Sequence, residues 1–226
     1  MLGSRWLVLV HQMASDLSLD GASVSAKSES FVADARSLPI ANESVDFVLT
    51  SPPYCTRIDY VINTSFELAA MGIGRTDPEF TRLRQQCMGA PLARKGAIPD
   101  PEPAWPDEIQ ALLRAIRHHA SRDSGSYYYK TYWQYFSDCE ITLRELHRTL
   151  RRNGAAVLVV QTSYYKDVCV DLPDLYVALG ASVGFRARVI STSDVQHSLT
   201  QINTRSLRHR TTTNYREAVV ALEKTA

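Results

Sequence analysis

The stretch Val45-Asp-Phe-Val-Leu-Thr-Ser-Pro-Pro-Tyr54 decides how this chain is read. Its first six residues form a compact, mostly apolar run that stops at two consecutive prolines. Proline has no N–H to give to a sheet ladder, so a buried strand over 45–50 must end at Ser51. Open α/β sheets bind ligands beyond the carboxyl ends of their strands, which is where Thr50-Ser-Pro-Pro-Tyr54 falls. The prolines stiffen the loop and hold Ser51 and the Pro52 carbonyl as acceptors at a fixed spacing. Tyr54 adds a flat face for stacking. Two acceptors beside an aromatic plate make a receptor for a planar group bearing an amino substituent, such as an extruded nucleobase.

Upstream, Phe31-Val-Ala-Asp34 reads as a short strand ending in an acid, followed by the turn Arg36-Ser-Leu-Pro39. Trp6-Leu-Val-Leu-Val10 is too short to span a bilayer and reads as a core strand or helix. Downstream, 56–71 is expected to be helical and closed by Gly72. Pro78, Pro91, Pro99, Pro101, Pro103 and Pro106 then punctuate a polar stretch with one expected helix over 107–121. That stretch reads as an insertion outside the core.

Phe136, Cys139, Leu143, Leu146 and Leu150 recur at steps of three and four, the stripe of an amphipathic helix. Arg148, Arg151 and Arg152 fall in its last turns, where the macrodipole favours cations, and Gly154 is placed at its C-cap. Ala155-Ala-Val-Leu-Val-Val160 suits a central strand. A helix over 172–179 is expected to end at Gly180, with strands over 185–190 and 218–222 after it. This alternation predicts an α/β fold with a mostly parallel sheet.

The composition permits that fold and narrows the function. The chain has 226 residues, 25 Lys+Arg against 24 Asp+Glu, 45% hydrophobic and 22% charged residues, the profile of an ordinary soluble domain. A net charge of +1 excludes a polybasic tail and an acidic disordered chaperone, but not a nucleic-acid substrate, for which local charge matters. Cys55, Cys87, Cys139 and Cys169 are scattered without metal spacing, so no metal is expected and reduced cytoplasmic thiols are. His118 and His119 read as surface residues.

The 45–54 segment resembles the catalytic loop of the amino-methylating DNA methyltransferases, whose pattern is (Asp/Asn/Ser)-Pro-Pro-(Tyr/Phe/Trp). The Ser form is more typical of the cytosine-N4 branch than of the adenine-N6 branch. The resemblance extends along most of the chain. Ala33-Asp34-Ala35 is similar to the acidic strand end that faces the cofactor adenine, and Gln161-Thr-Ser-Tyr-Tyr165 to a further site loop. It implies a Rossmann-like sheet with a helical insertion, S-adenosyl-L-methionine as cofactor and DNA as substrate. Methyl transfer would proceed by direct displacement on a flipped base, cytosine-N4 ahead of adenine-N6. Ser51, Pro52, Pro53 and Tyr54 would be catalytic, and Asp34, Ala35, Thr50 and Ser51 would bind the cofactor. Cys55 follows Tyr54 rather than Pro, so the cysteine nucleophile of cytosine-C5 enzymes is not implied.

The family's Gly-rich cofactor turn, Phe-x-Gly-x-Gly, has no counterpart before Asp34, where Gly3 and Gly21 stand alone; Gly72-Ile-Gly74 reads as a helix stop. Three explanations stay open: a second chain or self-association supplies that half, the chain is truncated, or the first 20 residues hold a divergent replacement. The expected sheet is therefore incomplete in its N-terminal half. Residues 1–226 read as a single methyltransferase-like domain in which 75–132 is a candidate target-recognition segment. Arg205, Arg208 and Arg210, in a loop without acids between Asp194 and Glu217, are the candidate DNA contacts. No membrane segment is expected. The alternatives are an RNA or protein methyltransferase, or a non-catalytic DNA-binding subunit.

Overall fold

The structure is a computed structural model that describes residues 27–55, 58–90, 92, 96–97, 99–195 and 215–225. The chain divides after Val32 into two units, and every element named below belongs to the second, Ala33–Ala226. Trp6–Val10, Arg205, Arg208 and Arg210 lie outside the described residues.

Strand β1 (Val45–Thr50) is followed by two short helices, α1 (Tyr60–Asn63) and α2 (Ser65–Ala70), then α3 (Pro78–Gln86) and α4 (Asp107–Arg117). A π-helical turn at Ser124–Tyr128 leads into the long helix α5 (Tyr129–Thr149) and strand β2 (Leu150–Gln161). The small hairpin β3 (Ser163–Tyr165) and β4 (Val168–Val170), helix α6 (Leu172–Val183), β5 (Phe185–Val195) and β6 (Tyr215–Lys224) complete the described chain.

The main sheet has the order β1-β2-β6-β5. Only β1 and β2 run parallel; β6 is antiparallel to both of its neighbours. The α/β class holds, but the expected mostly parallel sheet is a mixed one among the described strands. The physical reason is the connection between the last two strands. β6 returns beside β5 as a hairpin partner, inserted between β5 and β2, and a hairpin is antiparallel by construction.

One face of the sheet is closed by α5 and α6. Ala156, Leu158 and Val160 of β2 alternate into it at 6% exposure or less, joined by Val220, Leu222 and Phe185. The insertion is not outside this core. Ile109, Leu113 and Ile116 of α4 are fully buried, and Trp105 caps them while its indole N–H donates to Glu140 of α5 (2.6 Å). Each such apolar side chain contributes about 2 kcal/mol on burial, enough to anchor a proline-broken segment.

Segment 34–44 does not extend the sheet either. Among the described residues Phe31–Asp34 is not a strand; Asp34 makes a single bridge with Ser37. Its carboxylate accepts from the Arg36 backbone N–H and guanidinium, and Arg36 reaches on to Asp138 of α5 (2.8 Å) and the Gln86 carbonyl (2.9 Å). Further along, Leu38 N–H donates to Glu145, and Arg148 donates to the carbonyls of Leu38 and Ile40. The segment is stitched to α5 by side chains, which local alternation cannot reveal.

Three helix ends also depart from the sequence reading. The single helix expected before Gly72 is two, because Asp59 caps α1 and the Thr64 hydroxyl bonds back to the Tyr60 carbonyl (2.9 Å). Gly154 is not a cap but lies in β2, where a Cβ would sit 3.0 Å from the Asp46 carbonyl of β1. Helix α6 runs through Gly180 to Gly184, whose φ of 108° makes it the left-handed cap. Gly180 is needed for packing, since a Cβ there would come within 2.7 Å of Leu222.

Candidate active site

The loop Ser51–Tyr54 leaves the carboxyl end of β1 and is fixed from four directions. Ser51 Oγ donates to the Val159 carbonyl of β2 (3.1 Å). Tyr54 N–H donates to the Tyr60 hydroxyl of α1 (3.2 Å), and Tyr54 OH donates to Gln161 Oε1 (3.0 Å). From beneath, Tyr135 OH of α5 donates to the Pro53 carbonyl (3.0 Å). Above it Gly89, at φ +74°, lies so close that a Cβ would stand 2.8 Å from the Tyr54 carbonyl.

These bonds set the chemistry of the loop. The Ser51 hydroxyl hydrogen is committed to Val159, so its lone pairs face outward as acceptors. The Pro53 carbonyl is taken by Tyr135, while no donor among the described residues is recorded for the Pro52 carbonyl. Two acceptors therefore remain beside the Tyr54 ring, which is 36% exposed. Burial, with the Glu217 carboxylate as the second cause, raises the Tyr54 phenol pKa and keeps it a donor to Gln161.

The loop separates two concavities. A cleft of about 290 Å³ is lined by Ser51, Pro52, Tyr54, Val159, Gln161 and Glu217. On the α5 side, an apolar cavity of about 410 Å³ is lined by Ala35, Thr50, Pro52, Met88, Leu143 and Tyr176, among others. The sequence-derived residues are thus partitioned. Ser51 and Tyr54 face the cleft, Ala35 and Thr50 line the cavity, and Pro52 and Pro53 border both. The Asp34 carboxylate, half exposed, is held by Arg36.

Glu217, Gln161, Tyr60, Gly89 and Tyr135 complete the surroundings of the loop. Of these, Gln161 belongs to a stretch marked as a site loop in the sequence and Gly89 to the 75–132 candidate recognition segment. Glu217 reaches the cleft because it pairs with Gln161 across the β2–β6 ladder. The signal that could have found it is that register, visible only once β6 is known to lie beside β2.

Elsewhere, the aromatic residues at the start of α5 serve packing: Tyr129 and Tyr132 are buried, and the rings of Tyr128 and Tyr132 meet Tyr165 tilted and edge-on. His118 is exposed, as expected, and His119 is partly buried. It bonds Asp167 through Nε2 (2.7 Å) and Ser121 through Nδ1 (2.9 Å). Among the described residues no His/Cys/Asp/Glu group could hold a metal, and no helix is long and apolar enough to cross a membrane.

No protein-family model matches the chain. The chain is similar to two curated Type II methyltransferases. It is 23% identical over 154 residues to M.AvaI of Nostoc sp. strain PCC 7120, covering 64% of this chain and 32% of that protein. It is 22% identical over 178 residues to M.BsoBI of Geobacillus stearothermophilus, covering 70% of this chain and 35% of that protein. The chain spans about a third of the length of the curated relatives it matches.

Among solved structures, a candidate DNA modification methylase of Thermus thermophilus aligns over 86% of this chain and 53% of its own, at 14% identity and a TM-score of 0.41. A second structure of that protein, at 13% identity, a TM-score of 0.41 and coverages of 86% and 54%, is complexed with S-adenosyl-L-methionine. The sequence matches, to proteins named Type II methyltransferases, agree with the resemblance carried by Ser51–Tyr54.

Proposed function

We propose that the chain is the base-binding and catalytic part of an S-adenosyl-L-methionine-dependent DNA methyltransferase acting on an exocyclic amino group. Cytosine-N4 is favoured over adenine-N6, and the site of action is the cytoplasm. The observation that carries this reading is the commitment of the Ser51 hydroxyl hydrogen to Val159, which makes the serine an acceptor. An exocyclic amino group offers two hydrogens, and Ser51 Oγ and the Pro52 carbonyl are the acceptors to meet them. Bonding there localises the nitrogen lone pair away from the ring, while Tyr54 stacks on the extruded base. This is catalysis by orientation and fixed dipoles.

The cofactor, when bound, supplies a sulfonium methyl group to that nitrogen by direct displacement. The described residues fit part of it. Thr50, Ala35 and Pro52 border the apolar cavity on the side of the loop away from the cleft, and Asp34 presents a half-exposed carboxylate beside it. The glycine turn that lets backbone approach the methionine end is not among them. Strand β1 is the outermost strand of the described sheet, with Phe47 and Leu49 exposed at 56% and 68% on the face that α5 and α6 leave uncovered. Sheets of this class bury both faces, so these features support a complementing segment or second chain that carries the glycine turn.

Within this reading, 75–132 is proposed to contribute target recognition and Arg205, Arg208 and Arg210 to grip phosphates. The test is transfer of labelled methyl groups to DNA by the chain together with its complementing half, with Ser51→Ala as control. Labelled N4-methylcytosine lost in S51A supports the reading; label in RNA or protein, or none, overturns it.

A further inference from the structure

Beneath the Ser51–Tyr54 loop, the Tyr135 that takes the Pro53 carbonyl belongs to a polar group whose other members, Tyr176 and Cys139, the chemistry above does not use. Tyr135 and Cys139 are neighbours one turn apart on α5, and Tyr176 faces them from α6. Their exposures are 1%, 1% and 4%. Tyr135 OH lies 3.0 Å from the Pro53 carbonyl and 3.1 Å from Tyr176 OH, and Tyr176 OH lies 3.2 Å from Cys139 Sγ.

The protons in this group can be assigned. A carbonyl only accepts, so the single Tyr135 proton goes to Pro53. The Tyr135–Tyr176 contact must then use the Tyr176 proton. That leaves the Tyr176 oxygen to accept from the Cys139 thiol. The row runs one way, from Cys139 S–H through Tyr176 and Tyr135 to the Pro53 carbonyl, and every hydroxyl in it both donates and accepts. Burial raises the Cys139 pKa to about 12 and pushes both phenols well above their usual value, so all three protons stay in place across the working pH range.

We propose that Tyr135 is the positioning residue of the catalytic loop, and that Tyr176 and Cys139 orient it. By claiming the Pro53 carbonyl from below, Tyr135 fixes the peptide planes of the two prolines. The Pro52 carbonyl and Ser51 Oγ are thereby left as the pair that faces the base. A chain of aligned hydrogen bonds polarises its members, so deleting a distant member weakens the bond at Pro53 less than deleting Tyr135 does. The inference rests on the methyltransferase reading for its consequence in catalysis, but not for the hydrogen-bond row itself.

Two readouts test it on the full chain with its complementing half. The first is the infrared S–H stretch of Cys139, isolated as the difference between wild type and Cys139→Ala. The expected band is shifted to low frequency, as for a donating thiol, and it returns toward the free position in Tyr176→Phe. A band at the free position in wild type overturns the row. The second is steady-state kinetics of Tyr135→Phe, Tyr176→Phe, Cys139→Ala and Cys139→Ser, each checked for an intact fold by thermal unfolding.

Displacement of a catalytic loop by about 1 Å costs on the order of 100-fold in turnover. That loss is expected in kcat for Tyr135→Phe, with smaller losses for Tyr176→Phe and Cys139→Ala and recovery in Cys139→Ser, which restores a donor. KM for DNA should be unchanged throughout. Folded variants with wild-type kcat, or losses confined to KM, overturn the positioning role. If wild type transfers no methyl group, the functional reading fails separately, and the thiol band still decides the row.

Discussion

The two ends of strand β1 differ in one instructive way. At its carboxyl end, the loop Ser51–Tyr54 is fixed by β2, α1, α5 and the close approach of Gly89, and nearly every polar group in it has an assigned role. Along its outer face, Phe47 and Leu49 stand exposed, and the strand has no neighbour on that side among the described residues. Among the described residues the loop is held on several sides, while the outer edge of β1 has no strand beside it. That contrast is what the proposed complementing segment or second chain would act on.

Several substitutions can break or sharpen that contrast. The largest effect is expected at the loop itself. Ser51→Ala removes one acceptor and the tie to the Val159 carbonyl, and turnover should fall on the order of 100-fold or more while DNA binding, followed by filter retention, is retained. Equal loss of binding would move Ser51 from chemistry to recognition.

Next comes Gly89→Ala. The positive φ and the 2.8 Å approach to the Tyr54 carbonyl leave no room for a methyl group. A destabilisation of about 1–3 kcal/mol in urea unfolding is expected, together with lost turnover. A neutral result would show that the loop is not clamped from that side.

A smaller effect should appear in acid. Hydrogen bonding and charge from Arg148 hold the Glu145 carboxyl down at about 2, against 4.5 for the free side chain. Because the folded value is the lower one, this contribution is present above pH 4.5 and is lost as pH falls from 4.5 toward 2. Glu145→Gln should flatten that part of the acid-unfolding curve. An unchanged acid limb would place the stitching elsewhere.

The smallest effect on the isolated chain is expected at Leu49. Leu49→Ser should change its stability by less than about 0.5 kcal/mol, because the side chain is already in water. Assembly with the complementing half should nevertheless weaken. If L49S destabilises the chain alone as a core change would, the open face is not open.

Much of this was legible in the sequence, and the parts that were not share a cause. The strand over 45–50, its stop at the prolines, the α5 stripe and the last two strands are written in local periodicity, and they stand. The glycines were misread because Gly154 and Gly180 answer to Asp46 and Leu222, which are distant in sequence. His119 looked like surface because Asp167 is 48 positions away. Asp34 read as a strand end, although its geometry comes from Arg36 spanning to Asp138. At the site, Ser51 and Tyr54 were found through an unbroken local motif. Tyr135, Gly89 and Glu217 act on that motif from three other elements and carry no motif of their own.

The most direct test of the central claim is product identification by mass spectrometry after incubating the chain, its complementing half and labelled S-adenosyl-L-methionine with DNA. The account predicts label in N4-methylcytosine, absent from the S51A sample. Label in neither cytosine nor adenine, or label that persists in S51A, would contradict it.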